Sequence, residues 1–175
     1  VSRTTDIRES TGDDLRDIEL LYPLAFPDED LLPLVRDLLP DAANVLSLVA
    51  TIDSQLAGHV VFTRSRIAED NERTALLGPL AVSPVHQRRG VGGALVRAGL
   101  QRLELEHVDR VFVLGDPAYY GRFGFQPGAP VMPPHPLPVE WQNAWQSLSL
   151  AGSDLSRTGR LDLPDQWLEP SLWLP

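Results

Sequence analysis

The chain has 175 residues, 43% of them hydrophobic, which suits one globular domain of ordinary size and excludes a disordered chain. It has no cysteine, which excludes disulfides, thiolate metal ligation and a cysteine nucleophile. A formal net charge of −9 excludes non-specific binding to nucleic acid through phosphate neutralisation.

No apolar run reaches the roughly 18 residues that a membrane-spanning helix needs. The opening VSRTTDIRES lacks the basic start and apolar stretch of a secretory signal. A cytoplasmic protein with neither membrane nor nucleic acid as partner is expected. Negative charge gathers early, with eleven Asp and Glu against four Arg between Val1 and Asp41. All fifteen basic residues are arginine. The four histidines (His59, His86, His107 and His135) are scattered without ligand spacing, so no metal is expected.

TTDIRES alternates and reads as a first strand ending near Ser10. Thr11 is placed to cap a helix whose first turn holds Asp13 and Asp14, the sign of charge that suits the positive helix end. Leu15, Ile18, Leu21 and Tyr22 recur at helical spacing, and Pro23 and Pro27 are expected to break it. Asp28 is expected to open a second helix, DEDLLPLVRDLLP, kinked at Pro33. VLSLVATI (Val45 to Ile52) reads as a buried strand, DSQ as a turn, and LAGHVVFTRSRI (Leu56 to Ile67) as the hairpin partner, followed by the turn AEDNE. RTALLGPLAVS (Arg73 to Ser83) is another strand. Gly78 and Pro79 predict a bulge or local parting within it, because proline removes a ladder donor.

Val91 to Glu106 is helical, with Val91, Leu95 and Ala98 in one stripe and Val96, Leu100 and Leu103 beside it. RVFVLG (Arg110 to Gly115) is a short apolar strand. Asp116 as N-cap and Pro117 at the first helical position then start a short helix. Gln126 to Pro175 is proline-rich and holds all four tryptophans, with strands expected around Val131 and from Trp145 to Leu150. Trp141, Trp145, Trp167 and Trp173 are read as covering a core edge or a dimer surface, which keeps a homodimer among the expectations. The order of elements predicts a mixed α/β sheet. Its strand–helix–strand segment from Leu76 to Gly115 forms a right-handed unit with two parallel strands. With no repeat or linker, residues 1–175 are expected to form a single domain, the segment 126–175 completing or covering the sheet.

Between strand and helix lies HQRRGVGGALV, His86 to Val96. A strand end, a tight loop and a helix start near Gly90 present free backbone N–H groups, which favour an anion together with the helix dipole. Gly90, Gly92 and Gly93 remove side chains that would hold a phosphate away, and Arg88 and Arg89 add positive charge. A Walker loop is excluded because there is no lysine, and a dinucleotide fingerprint because Gly90-Val91-Gly92 is followed by Ala94 and Leu95. Taken alone, the loop reads equally as a phosphate cradle or as a glycine-lined helix start packed on a strand.

Its context adds a second motif. LAVSPVHQRRGVGGALV resembles the acyl-CoA-binding motif of the GNAT superfamily of N-acetyltransferases, an apolar-x-V-x-P strand end followed by [QR]xxGx[GA] at the helix start. Leu80, Val82 and Pro84 supply the first part, and Gln87, Gly90 and Gly92 the second. PAYYGRFGFQP resembles the family's later motif, a tyrosine followed four residues on by Gly-Phe; Tyr120, Gly124 and Phe125 match it. The similarity is strongest to an uncharacterised acetyltransferase branch with LGPLAV and GDPAYYGRFGF, and it covers Leu77 to Pro127 closely.

The resemblance implies a GNAT-like fold: a central mixed, mostly antiparallel sheet with a splayed parallel strand pair and flanking helices. It implies acetyl-CoA as acyl donor and direct transfer to a small amine or a peptide amine. The backbone of Leu80, Ala81 and Val82 would pair with the pantetheine arm. Gln87, Arg88, Arg89, Gly90, Val91, Gly92, Gly93 and Ala94 would surround the pyrophosphate. Tyr120, or Tyr119 if the register is off by one, would protonate the departing CoA thiolate. Asp116 stands where the family often has asparagine, as N-cap or cofactor contact. Phe123 and Phe125 are expected in the core, and His59 as a satisfied strand histidine.

Family members often carry a glutamate on the strand before the glycine loop, but RTALLGPLAV has no acid. Glu69, Asp70 and Glu72 lie in the preceding turn, so a water relay serves or the amine arrives neutral. That gap keeps a non-catalytic acyl-CoA-binding sensor or partner module as the alternative. The acidic first quarter of the chain motivates a cationic acceptor, such as a polyamine, an aminoglycoside or a basic peptide terminus.

Overall fold

Alternation in TTDIRES produces β1 (Thr5–Glu9), which pairs antiparallel with β2 (Val45–Ile52) from Thr5–Ile52 to Glu9–Leu48. The computed structural model describes residues 3–152 and 156–175. Residues 1–2, and residues 153–155 of the expected irregular C-terminal chain, lie outside the described residues. After β1, a 3-10 turn (Gly12–Asp14) leads into α1 (Leu15–Ala25). The Thr11 amide donates to Asp14 Oδ2 at 2.7 Å, and Arg8 donates to both oxygens of that carboxylate at 2.8 Å. Arg8 above all holds the Asp14 carboxyl down at about 2.

Two helix expectations are corrected. Pro23 lies inside α1 instead of ending it, near enough to the C-terminus that the Phe26 N–H still closes the last turn on Tyr22 O at 2.8 Å. Helix α2 is Leu32–Leu38, not a helix opened by Asp28. Pro33 therefore falls in its first turn, where the missing N–H is not needed, and no kink arises there.

Strand β3 (Gln55–Ile67) follows β2 through Asp53 and Ser54, both left-handed with φ of 50° and 66°, the backbone of a two-residue hairpin. The chain continues through β4 (Arg73–Val82), α3 (Val91–Leu105), β5 (Arg110–Leu114) and α4 (Pro117–Tyr120). Four further strands follow: β6 (Gln126–Pro127), β7 (Val131–Met132), β8 (Trp145–Ser149) and β9 (Gly159–Asp162). The strand order is β1-β2-β3-β4-β5-β8-β6, with β9 pairing both β3 and β7. Strands β4 and β5 are parallel from Thr74–Arg110 to Leu77–Val113, while β8 runs antiparallel to β5 and β6. This is the expected mixed sheet with flanking helices and a parallel pair, β4–β5. The sequence pattern did not predict β6 or β9: one has two residues and the other is recruited by Arg66 and Ile67 of β3, so neither has enough alternation of its own to read.

Two compact units divide the chain, residues 1–62 with 79–101 and residues 63–78 with 102–175. In the first, Ile18, Leu21, Tyr22, Val35, Val49 and Ala81 form one buried cluster. In the second, Phe112 stacks on Trp145 at 5.4 Å, and Trp173 packs against Trp145 and Trp167. All three indole N–H groups donate within that unit: Trp145 to Val131 O, Trp167 to Thr63 Oγ1 and Trp173 to Trp167 O. These tryptophans are core; Trp141 is half-buried. No helix among the described residues is long and apolar enough to cross a membrane.

Candidate active site

The glycine loop belongs to the first unit. The β4–β5 ladder stops at Leu77–Val113, directly before Gly78 and Pro79, so residues 78–82 continue β4 beyond it. The far end stays attached to β3, where the Ser83 N–H donates to Ala57 O at 2.9 Å. Ala81 is buried, and Leu80 and Val82 are half-buried. A 3-10 turn (Pro84–His86) follows, and the Gln87 carboxamide donates back to Val82 O at 3.1 Å, closing the loop on itself. Arg88 and Gly90 both adopt left-handed backbone, with φ of 59° and 81°.

Helix α3 makes its first ladder bond from Ala94 N–H to Gly90 O at 3.0 Å, so the amides of Val91, Gly92 and Gly93 stand ahead of the ladder. Beyond its two chain neighbours, no atom of a described residue lies within 4 Å of where a Gly90 Cβ would sit, so the loop is open there. Arg88 and Arg89 are exposed and make no ion pair with a described residue. Amides, dipole and unpaired guanidiniums together favour an anion.

Gly58 on β3 was not singled out from the sequence. A Cβ there would stand 2.9 Å from Leu95 Cδ1 and 3.1 Å from both Val91 Cγ1 and Ala81 O. Its bareness lets α3 seat on the sheet. A glycine inside a strand pattern was the available signal.

On the other side of the same strand, His59 is fully buried. Its Nδ1 meets the Tyr22 hydroxyl at 2.8 Å and its Nε2 the Ser47 hydroxyl at 2.7 Å, and Ser10 donates to Ser47 at 2.6 Å. Burial pushes the imidazole down to about 3, so it stays neutral, the satisfied strand histidine expected. Beside Tyr22, the rings of Tyr22 and Phe26 and the acids Asp28, Glu29 and Asp30 border a cavity of 290 Å³. A second cavity of 370 Å³ lies between Leu20 and Leu24 of α1, Gln55 and Leu56 of β3, and Ser83.

Tyr120 belongs to the second unit. Asp116 is the expected N-cap: its Oδ1 accepts the Ala118 N–H at 2.9 Å, and its backbone oxygen accepts from Tyr119 and Tyr120. The half-buried Tyr120 ring lies directly on Gly115, edge-on to Tyr119 at 4.9 Å and to Phe125 at 5.9 Å. Burial first, and the neighbouring Tyr119 second, push its phenol up, so it is protonated at neutral pH. The Arg122 guanidinium covers the Tyr119 ring at 4.5 Å. Phe125 is core as expected, but Phe123 is only half-buried, because it ends the 3-10 turn Gly121–Phe123 and its ring neighbours Tyr119, Tyr120 and Arg122 are themselves half-buried or exposed.

Of the three turn acids, Glu69 is exposed and the other two are held in ion pairs. Glu72 is buried in a two-pronged pair with Arg110 at 3.1 and 2.8 Å, and Asp70 is paired with Arg157 at 2.9 Å.

The model of the Acetyltransferase (GNAT) family matches residues 13–125. The uncharacterised N-acetyltransferase YjhQ of Escherichia coli K12 is 37% identical over 166 residues, covering 90% of this chain and 89% of its own. The crystal structure of the GNAT-family N-acetyltransferase YhbS of E. coli in complex with CoA superposes with a TM-score of 0.86 at 29% identity, over 97% of this chain and 94% of that one. A GNAT-family acetyltransferase of Brucella melitensis in complex with acetyl-CoA gives a TM-score of 0.75 at 29% identity, over 94% and 99%.

Proposed function

This chain belongs to the acetyltransferase (GNAT) family, and on that premise we propose that it moves the acetyl group of acetyl-CoA to a primary amine. The start of α3 carries the reading: amides ahead of the ladder, two unpaired arginines and open space at Gly90 suit the doubly negative CoA pyrophosphate. Relatives bound to CoA and acetyl-CoA support the donor. The backbone of Leu80 to Val82, beyond the β4–β5 ladder, is suited to take the pantetheine arm. An acetyl-CoA donor supports the cytoplasm as the place of action.

In the reaction, the amine nitrogen attacks the thioester carbon, the C–N bond forms, and the C–S bond breaks with its electron pair on sulfur. Tyr120 donates its phenolic proton to that sulfur, and the proton shed by the amine restores the phenol. With Glu72 and Asp70 held in ion pairs and no acid on β4, the amine arrives neutral or gives its proton to water. The carboxylates and rings of the α1–α2 cavity support a cationic acceptor.

Thiol release from acetyl-CoA is measured with polyamines, an aminoglycoside, a basic peptide, and neutral and acidic amines. Preference for the cationic acceptors is expected; preference for the others removes the charge argument. Tyr120→Phe is expected to lower turnover about 100-fold or more while acetyl-CoA still binds. Unchanged turnover would move the acid role elsewhere. Binding without thiol release from any amine would make the chain an acyl-CoA-binding module.

A further inference from the structure

We propose that Gln146 and Gly115 are the positioning residues for the Tyr120 phenol, Gln146 fixing the Gly115 peptide and the bare Cα of Gly115 seating the ring. This rests on the reading of Tyr120 as the acid. Gly115 directly follows β5 and is gripped at both ends. Its N–H donates to Ala144 O at 2.9 Å, and its carbonyl accepts from Gln146 Nε2 at 3.1 Å. The same Nε2 also donates to Ala144 O at 3.3 Å, so one carboxamide ties both carbonyls.

Gln146 is fully buried on β8 opposite Val113, and its Oε1 has no hydrogen-bond partner among the described residues. Turning the amide over would aim that oxygen at two carbonyl oxygens, so the donors fix its orientation. A buried amide oxygen left unpaired is destabilising, and packing alone would favour an apolar residue here. On the other side of the peptide, a Cβ at residue 115 would collide with Tyr120 Cε2 and stand 2.9 Å from Cδ2. The Tyr120 backbone is meanwhile tied to Asp116 O at 3.0 Å, so a side chain at 115 displaces the ring and leaves the helix in place.

Gly115→Ala, Gln146→Leu, Tyr120→Phe and the double variant Gly115→Ala/Tyr120→Phe test this. Ring-¹³C-tyrosine NMR follows titration of the Tyr120 phenol, assigned by its loss in Tyr120→Phe. Thiol release at saturating acetyl-CoA uses the most active amine of the panel. In Gly115→Ala the phenol should titrate lower, toward free tyrosine, and kcat should fall about 10-fold with the acetyl-CoA KM within about 2-fold. In the Tyr120→Phe background the same alanine should cost less than about 2-fold. Gln146→Leu should shift the titration the same way, and it carries the test should Gly115→Ala fail to fold. An unmoved titration, or a kcat loss that multiplies in full with Tyr120→Phe, overturns the proposal. Wild-type kcat in Tyr120→Phe overturns the acid reading instead, and the titration then judges the seat on its own.

Discussion

His59 illustrates how burial changes what a residue can do. Histidine is the side chain most readily read as an acid–base group, yet here both nitrogens are spent on Tyr22 and Ser47 inside the protein. The folded imidazole titrates at about 3 against 6.5 in the unfolded chain, with desolvation outweighing the opposing pull of Asp14. The unfolded state therefore takes up the proton first as pH falls, so the stability from neutral His59 is complete above about 6.5 and declines below it. Between pH 7 and pH 5 the wild type should lose about 2 kcal/mol more than His59→Gln. Urea melts at the two pH values read this difference, and equal losses would place the titrating group elsewhere. Glu72 shows the same principle for an acid: its pairing with Arg110 in the interior makes it structural, because freeing either partner would leave a buried charge.

Among the elements, α3 and the strands beneath it are the pair on which the proposed anion site depends. The helix start can present its amides only where the helix sits, and its seat is Gly58. Gly58→Val should push Val91 and Leu95 outward, destabilise the fold by about 1–3 kcal/mol, and weaken acetyl-CoA binding by more than the lost stability alone would. Denaturant melts and isothermal titration with acetyl-CoA separate the two effects. Unchanged affinity in a destabilised variant would detach the seat from binding. DEDLLPLVRDLLP contains a helix, but proline chooses its start: Pro33 is favourable in a first turn and costly further in.

For the whole molecule, the boundaries between the two compact units fall inside β3, β4 and α3, each of which contributes residues to both. Chain continuity through three elements supports one cooperative domain. Calorimetry should give a single transition. Acetyl-CoA at about 100 times its Kd should raise stability by about 2.7 kcal/mol and the melting temperature by about 5–10 °C. Two resolved transitions, only one of them moved by acetyl-CoA, would mean that the units unfold separately.

The sequence by itself determined the features that local rules govern. The alternation of Val45–Ile52 and the cap and proline of Asp116-Pro117 each dictate backbone within a few residues, and both elements appear where expected. The spacing of the glycine loop and YYGRFGF carried the family, because two motifs in order constrain far more than either does. Tertiary structure alone decided which titratable groups remain available. Glu72 meets Arg110 across 38 positions of chain and His59 meets Tyr22 across 37, and no local pattern records such partners. It also decided why Gly58 and Gly115 have no side chain. The atoms that would collide with a Cβ at Gly58 belong to β4 and α3, distant in sequence, and at Gly115 to a ring that a helical turn folds back onto the chain. A strand pattern reports which face is buried; the fold decides what lies against it.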